Sequence, residues 1–367
     1  MYPLIIFGIP SLLGVFLFEF LSAQMYFSPI EEPPYFFEIL RVAHVIPAFL
    51  FAYISDKNYR KGALLTSHLL GLATVSLLYF VGSNFWTLLL IAIVFNPISV
   101  ARAALLDNFP RYSPLKLMAI VFIVKFIPWI LFGSLFSEGF HKDHLLLLTI
   151  FLFILNVLLI GFFFKDKKDI FAHSHQTRTL DLFWGIEKKV AYLVFAFILA
   201  QIPGRMAWGR VHLEDFHIWS WIALTNIGLA LGTASAMLYK KLPHLSIVTL
   251  TYVAGVCTMI LALLEQSFGA FQFKQSFSTI MSYYGIVGGI ALPLFADAVI
   301  TMFGAKKKAL GAAMIDLSEA LALTLSAFFV HFSSSSIHVC LILFLGASLL
   351  QKHIERKSQH FLEHHKR

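Results

Sequence analysis

Apolar runs of bilayer-crossing length, about 20 residues each, follow one another from Tyr2 to Gln351 with little between them. Inside hydrocarbon the backbone must satisfy its own hydrogen bonds, so each run reads as a transmembrane helix. Hydrophobic residues make up 59% of the 367 and charged residues 13%, whereas a soluble domain carries about a quarter charged residues. No stretch remains for a sizeable soluble domain. The spans are expected near 2–25, 35–55, 62–82, 85–106, 115–136, 144–164, 190–208, 216–238, 245–265, 276–303, 309–332 and 336–351. The first lacks a basic leading segment and holds Glu19 within its apolar run, which predicts a retained helix and not a signal peptide.

The net charge of +8 is sorted by loop and not gathered on one domain, which argues against nucleic acid as a partner. With the N-terminus in the cytoplasm, alternate loops hold Lys57, Arg60 and Lys61, Arg111 and Lys116, the lysines and Arg178 of the 165–189 stretch, Lys240 and Lys241, Lys306 to Lys308, and the basic tail. The opposite loops hold Lys142, Arg210 and Lys274. Such a bias places both termini in the cytoplasm, in the plasma membrane or the inner membrane of a bacterium. The longest polar interruption splits the spans six and six. The expected organisation is a bundle over 1–164, a cytoplasmic linker over 165–189, a second bundle over 190–351 and a basic tail over 352–367. Within the linker, 180–186 reads either as a segment docked on the membrane surface or as a plain tether. Cys257 and Cys340 both fall inside spans, where packing and not a disulfide is expected.

The hairpin between the second and third spans reads Ala52-Tyr53-Ile54-Ser55-Asp56-Lys57-Asn58-Tyr59-Arg60-Lys61-Gly62. It resembles the signature loop of the major facilitator superfamily, Gly-x-x-x-Asp-[Arg/Lys]-x-Gly-[Arg/Lys]-[Arg/Lys]. Asp56, Lys57, Arg60 and Lys61 match, and Ala52 and Tyr59 stand where that family has glycine. Tyr239-Lys240-Lys241-Leu242-Pro243 occupies the corresponding loop of the second half. The resemblance implies an all-α membrane fold of about twelve helices in two six-helix bundles around a midplane cavity that opens to each side in turn. It also implies that Asp56, Arg60 and Lys61 latch the cytoplasmic helix ends in one conformation. On the alternative reading these basic residues only set orientation.

An ionisable side chain at the centre of a span costs about 2.5–3.5 kcal/mol on insertion scales, so each needs a partner or a wet cavity. Glu38, Arg41 and His44 lie three apart on the second span and form one stripe. Glu38 and Arg41 either neutralise each other or serve substrate and proton. His44 is either a proton carrier or a packed neutral ring. Lys125 in span five, near Trp129, has no acid within reach on its own helix. It is expected to bind an anionic solute group, the alternative being an ion pair with Glu19 or Glu38 across the bundle. Asp316 and Glu319, three apart on span eleven, suit proton binding, because neighbouring carboxylates raise one another's pKa. Alternatively Asp316 pairs with a basic residue of the rim. Arg102, Asp107 and Asp297 read as gate residues, with rim snorkelling the plainer reading of Arg102. Asn96, Gln201 and Asn226 add uncharged polarity.

The candidate substrate-binding set is therefore Arg41, Lys125, Glu19, Trp129 and Asn226. The proton-coupling set is Glu319, Asp316, Glu38 and His44, and the latch is Asp56, Arg60, Lys61 and Arg102. Gly285, Gly288 and Gly289 ahead of Pro293 predict close packing or a bend in span ten, and Pro203-Gly204-Arg205 a kink in span seven. His173 and His175, with His360, His364 and His365, lack acidic or cysteine companions, and no metal or cofactor is assigned. The chain contains no Gly-x-x-x-x-Gly-Lys-[Ser/Thr] loop for ATP and no His-Glu-x-x-His motif. The expected function is secondary transport of a small, anionic organic solute with protons, by a monomer in contact with membrane lipid. Export by the same fold, a membrane-embedded enzyme and a transport-dead receptor are the alternatives.

Overall fold

The computed structural model describes residues 2–26, 36–57, 60–135, 142–164, 188–211, 218–238, 244–267, 273–304, 307–332 and 336–364. Within them the chain forms thirteen helices: α1 (Tyr2–Tyr26), α2 (Phe36–Lys57), α3 (Arg60–Val81), α4 (Phe85–Val94), α5 (Ile98–Asn108), α6 (Pro114–Leu135), α7 (Lys142–Phe163), α8 (Lys188–Val211), α9 (Ile218–Ala236), α10 (His244–Ser267), α11 (Phe273–Phe303), α12 (Lys308–Phe332) and α13 (Ser336–His364).

Two boundaries depart from the sequence reading. The fourth span is two helices, broken over Phe95-Asn96-Pro97. Pro97 has no N–H to give and disfavours the helical conformation in the residue before it. Asn96 repairs the break: its Oδ1 accepts from the Ile98 N–H at 3.1 Å and its Nδ2 donates to the His44 carbonyl at 3.0 Å. The break thereby ties α4 and α5 to α2. The last helix does not stop at Gln351 but runs on to His364. There Glu355 accepts from Ser246 and Thr249 at the start of α10, which anchors the extension.

Elsewhere the local rules hold. Asn84 and Thr87 close a reciprocal capping box at the start of α4, after Gly82 turns the chain at φ 85°. Seven spans among the described residues are long and apolar enough to cross a membrane, α4 and α5 counting as one, and α8, α10 and α11 carry shorter apolar windows. On α7, Leu147, Phe151, Ile154, Leu158 and Phe162 stand exposed at helical spacing, a face suited to lipid acyl chains. The chain is a multi-pass integral membrane protein. Cys257 is exposed on α10 and Cys340 buried on α13, and neither is in a disulfide.

In the first half α1 packs on α5, α6 and α7, and α3 on α2, α4 and α7; in the second, α8 packs on α11, α12 and α13, and α10 on α11 and α13. Gly289 on α11 lets the α9 backbone come so close that an added Cβ would lie 2.4 Å from the Leu229 carbonyl oxygen. The halves meet along two seams, α6 against α9 and α11, and α2 with α5 against α12. In the second seam Ala48, Ala52, Ala103, Ala309 and Ala313 form a buried cluster with Leu310. Small side chains there allow the helices to close tightly on one another.

The side chains of Glu38, Arg205, Gly285, His360 and His364 lie outside the described residues, as do the 165–187 linker with 180–186, His173 and His175, the 239–243 loop, His365 and 333–335.

Candidate functional site

One cavity lies between the halves, at the level where α1, α2, α5, α6 and α12 converge. Glu19, Arg41, His44, Asn96, Lys125, Asp316 and Glu319 all line it. The cavity volume is about 20 Å³, room for about one water molecule.

Lys125 is the hub. Its Nζ stands 2.5 Å from Glu319 Oε2 on α12 and 3.7 Å from Glu19 Oε1 on α1. It is therefore shared between an acid of its own half and an acid of the other. Glu19 is fully buried; its Oε2 accepts from the Trp129 indole N–H at 2.8 Å and faces Arg41 at 4.0 Å. Arg41 also lies over the Trp129 ring, 5.9 Å from its centroid. One turn further along α12, Asp316 Oδ1 accepts from Arg102 Nη1 at 2.9 Å, and the same nitrogen reaches the Ala312 carbonyl at 3.3 Å. Arg102 is completely buried, with its guanidinium 5.1 Å from the centre of the Phe122 ring. It does not snorkel to a rim. His44 packs edge-on against Phe18 at 4.8 Å, and its Nδ1 is buried with no hydrogen-bond partner.

A second set of charges closes one end of the same seam. Asp56 accepts the Ala309 and Leu310 N–H groups at 3.2 and 2.9 Å, capping the N-terminus of α12 where the helix dipole favours a carboxylate. Arg60 donates to Asp56 Oδ1 and to Ser55 Oγ, both at 2.9 Å, and pairs through Nε with Asp107. Lys308 reaches across from α12 to Asp107 at 2.6 Å. Asp56, Asp107 and Lys308 thus clamp α12 to the first half. Lys61 instead donates to the Gly161 carbonyl on α7 at 2.8 Å, within its own half.

Along α12 the residues that meet the first half run Ala309, Ala312, Asp316 and Glu319, at the three- and four-residue steps of a single helix face. Cap, alanine seal and ion pairs succeed one another from the closed end towards the cavity.

Most of the candidates read from sequence converge here. Arg41, Lys125, Glu19 and Trp129 share one network with Glu319, while Asp316, His44 and Arg102 adjoin it. Asn226 is buried on α9, outside the cavity lining. Asp297 is likewise buried, on α11. Asp316 pairs with a basic residue, yet still faces the cavity beside Glu319. Lys308 and Asn96 have larger parts than sequence assigned them. Lys308 counted only towards orientation, and its partner lies 201 residues away; Pro97 was the readable sign of the work Asn96 does.

No protein-family model matches the chain, and no curated protein matches its sequence. Solved structures share its shape over nearly its whole length. The human organic anion transporter MFSD10 (TETRAN) superposes with a TM-score of 0.66 at 13% identity, covering 96% of this chain and 98% of that one. The Escherichia coli fucose:proton symporter FucP gives 0.74 at 12% identity, with 96% and 98% covered. A FucP structure in the outward conformation, described as a Major Facilitator Superfamily transporter, gives 0.72 at 11%, with 96% and 99% covered. Two bundles meeting along the α2–α12 and α6–α9 seams, over a chain matched for 96% of its length, make this the major facilitator fold.

Proposed function

We propose that the protein is a secondary active transporter that carries a small organic anion across the membrane by alternating access, with protons as the coupling ion. The observation that carries this reading is Lys125, a buried cation held by carboxylates of both halves at once. A solute carboxylate has the same charge and geometry as the Glu319 carboxylate and can take its place on Lys125, with Arg41 beside it. Glu319, displaced from its counter-ion at a largely buried position, then favours its protonated form. Solute and proton enter together, and the tie between α12 and α6 is undone. The latch at Asp56, Arg60, Asp107 and Lys308 is assigned to the cytoplasmic face, in agreement with the loop charges, and governs opening to that side. Two solved structures of the same fold are named for an organic anion transporter and a proton symporter, and both names are compatible with this reading.

The test is a solute screen in proteoliposomes with an imposed pH gradient. Accumulation of an organic anion that collapses with an uncoupler is the expected outcome. Anion accumulation indifferent to the uncoupler removes proton coupling, and accumulation confined to neutral or cationic solutes removes the role given to Lys125.

A further inference from the structure

Among the described residues the charges that pair around the cavity and at the latch balance. Around the cavity Arg41, Arg102 and Lys125 face Glu19, Asp316 and Glu319. At the latch Arg60 and Lys308 face Asp56 and Asp107. His44 enters the count as the neutral ring packed edge-on against Phe18. No residue of α8, α9, α10 or α11 lines the cavity among the described residues. Among the described residues, the titratable groups that line the cavity with Glu319 are Lys125 from α6, Glu19 from α1, Arg41 and His44 from α2, and Asp316 on its own helix, with Arg102 of α5 behind Asp316.

From this balance, and resting on the anion-transport reading above, we infer that transport is electroneutral, one proton per solute molecule, and that the solute class is a monocarboxylate. A monoanion sealed into a neutral, low-dielectric layer leaves one uncompensated buried charge, which is strongly unfavourable. One proton on Glu319 restores the balance: the solute carboxylate replaces Glu319 as counter-ion of Lys125, and the O–H bond formed on Glu319 uses a proton from the same side as the solute. Glu19 cannot take that part as readily, since its carboxylate also serves Trp129 and Arg41. Asp316 is held by Arg102, which lies outside the cavity lining, so among the described residues a second solute carboxylate finds no second cation-and-acid pair to exchange with. Loaded and empty carrier then have the same charge in the sealed layer, and a full cycle moves none across the membrane.

The experiment uses the full chain in proteoliposomes, with radiolabelled lactate, glycerate and gluconate as monoanions and succinate as the dianion. A pH gradient and a valinomycin-clamped potassium potential are imposed separately. Expected is accumulation of at least one monoanion by about tenfold per unit of imposed pH difference, unchanged by the potential, with no succinate uptake. Accumulation that follows the potential overturns electroneutrality while leaving anion transport standing. Succinate uptake without monoanion uptake overturns the solute class, and no uptake of any acid overturns the class together with the reading beneath it. Glu319→Gln supplies a second readout. With the acid permanently neutral, solute exchange persists, but net anion movement carries charge and follows the potential instead of the pH gradient. A variant whose net uptake still follows the pH gradient alone assigns the proton elsewhere and overturns the inference.

Discussion

Replacing Lys125 by alanine removes a cation that lies within 4 Å of both Glu19 and Glu319. The two carboxylates do not suffer equally. Glu19 keeps the Trp129 indole at 2.8 Å and Arg41 at 4.0 Å, whereas Glu319 loses its short contact at 2.5 Å. Breaking a buried pair from one side costs about 3–5 kcal/mol, most of it from the charge left behind. At roughly 2 °C per kcal/mol for a large chain, the melting temperature in detergent should fall by about 5–10 °C. Removing the stranded charge as well, in Lys125→Ala with Glu319→Gln, should return at least half of that loss, because neutral groups need no counter-ion. The same change with Glu19→Gln should return less. Tryptophan fluorescence on heating, for the parent, the singles and the doubles, gives the coupling energies directly. A Lys125→Ala protein as stable as the parent, or a Glu319 double variant no more stable than the single, would refute the claim that Lys125 neutralises this acid. In a panel of bound anions, Lys125→Ala should also weaken affinity by about tenfold or more, with Lys125→Arg a partial rescue, since guanidinium and ammonium differ in shape and hydration.

At the latch, Asp56→Asn or Arg60→Ala should slow transport several-fold while leaving solute affinity near that of the parent, because both residues lie beyond the alanine seal from the cavity; rapid-filtration uptake and equilibrium binding separate the two quantities. Lys308→Ala should raise the cysteine-labelling rate of probes placed on the latch end of the seam, as Asp107 loses its tie to α12. An unchanged rate would remove Lys308 from the clamp. Gly289→Ala should destabilise the second half by about 1–3 kcal/mol, since the new methyl overlaps the Leu229 backbone and cannot be relieved by a side-chain rotation. A lower melting temperature is the readout.

What the sequence determined by itself is everything that depends on a single segment and its solvent. The apolar runs fix which segments cross the bilayer, since no other conformation satisfies their backbone there. Lysines and arginines sorted by loop predict an orientation, and Asp56 with Arg60 marked the hairpin whose charges meet the start of α12. The cost of buried charge singled out Glu19, Arg41, Lys125, Asp316 and Glu319, and all five line one cavity. Their partners were not legible, because pairing is decided by which helices meet. Lys125 and Glu319 are 194 residues apart and Arg102 and Asp316 are 214 apart, separated by most of both bundles. Nothing local distinguishes an arginine that snorkels from one sealed against α12, or a lysine that orients a loop from Lys308, which clamps two halves. Those assignments exist only once α2, α5 and α6 close on one face of α12, where low dielectric makes each charge seek the nearest opposite one.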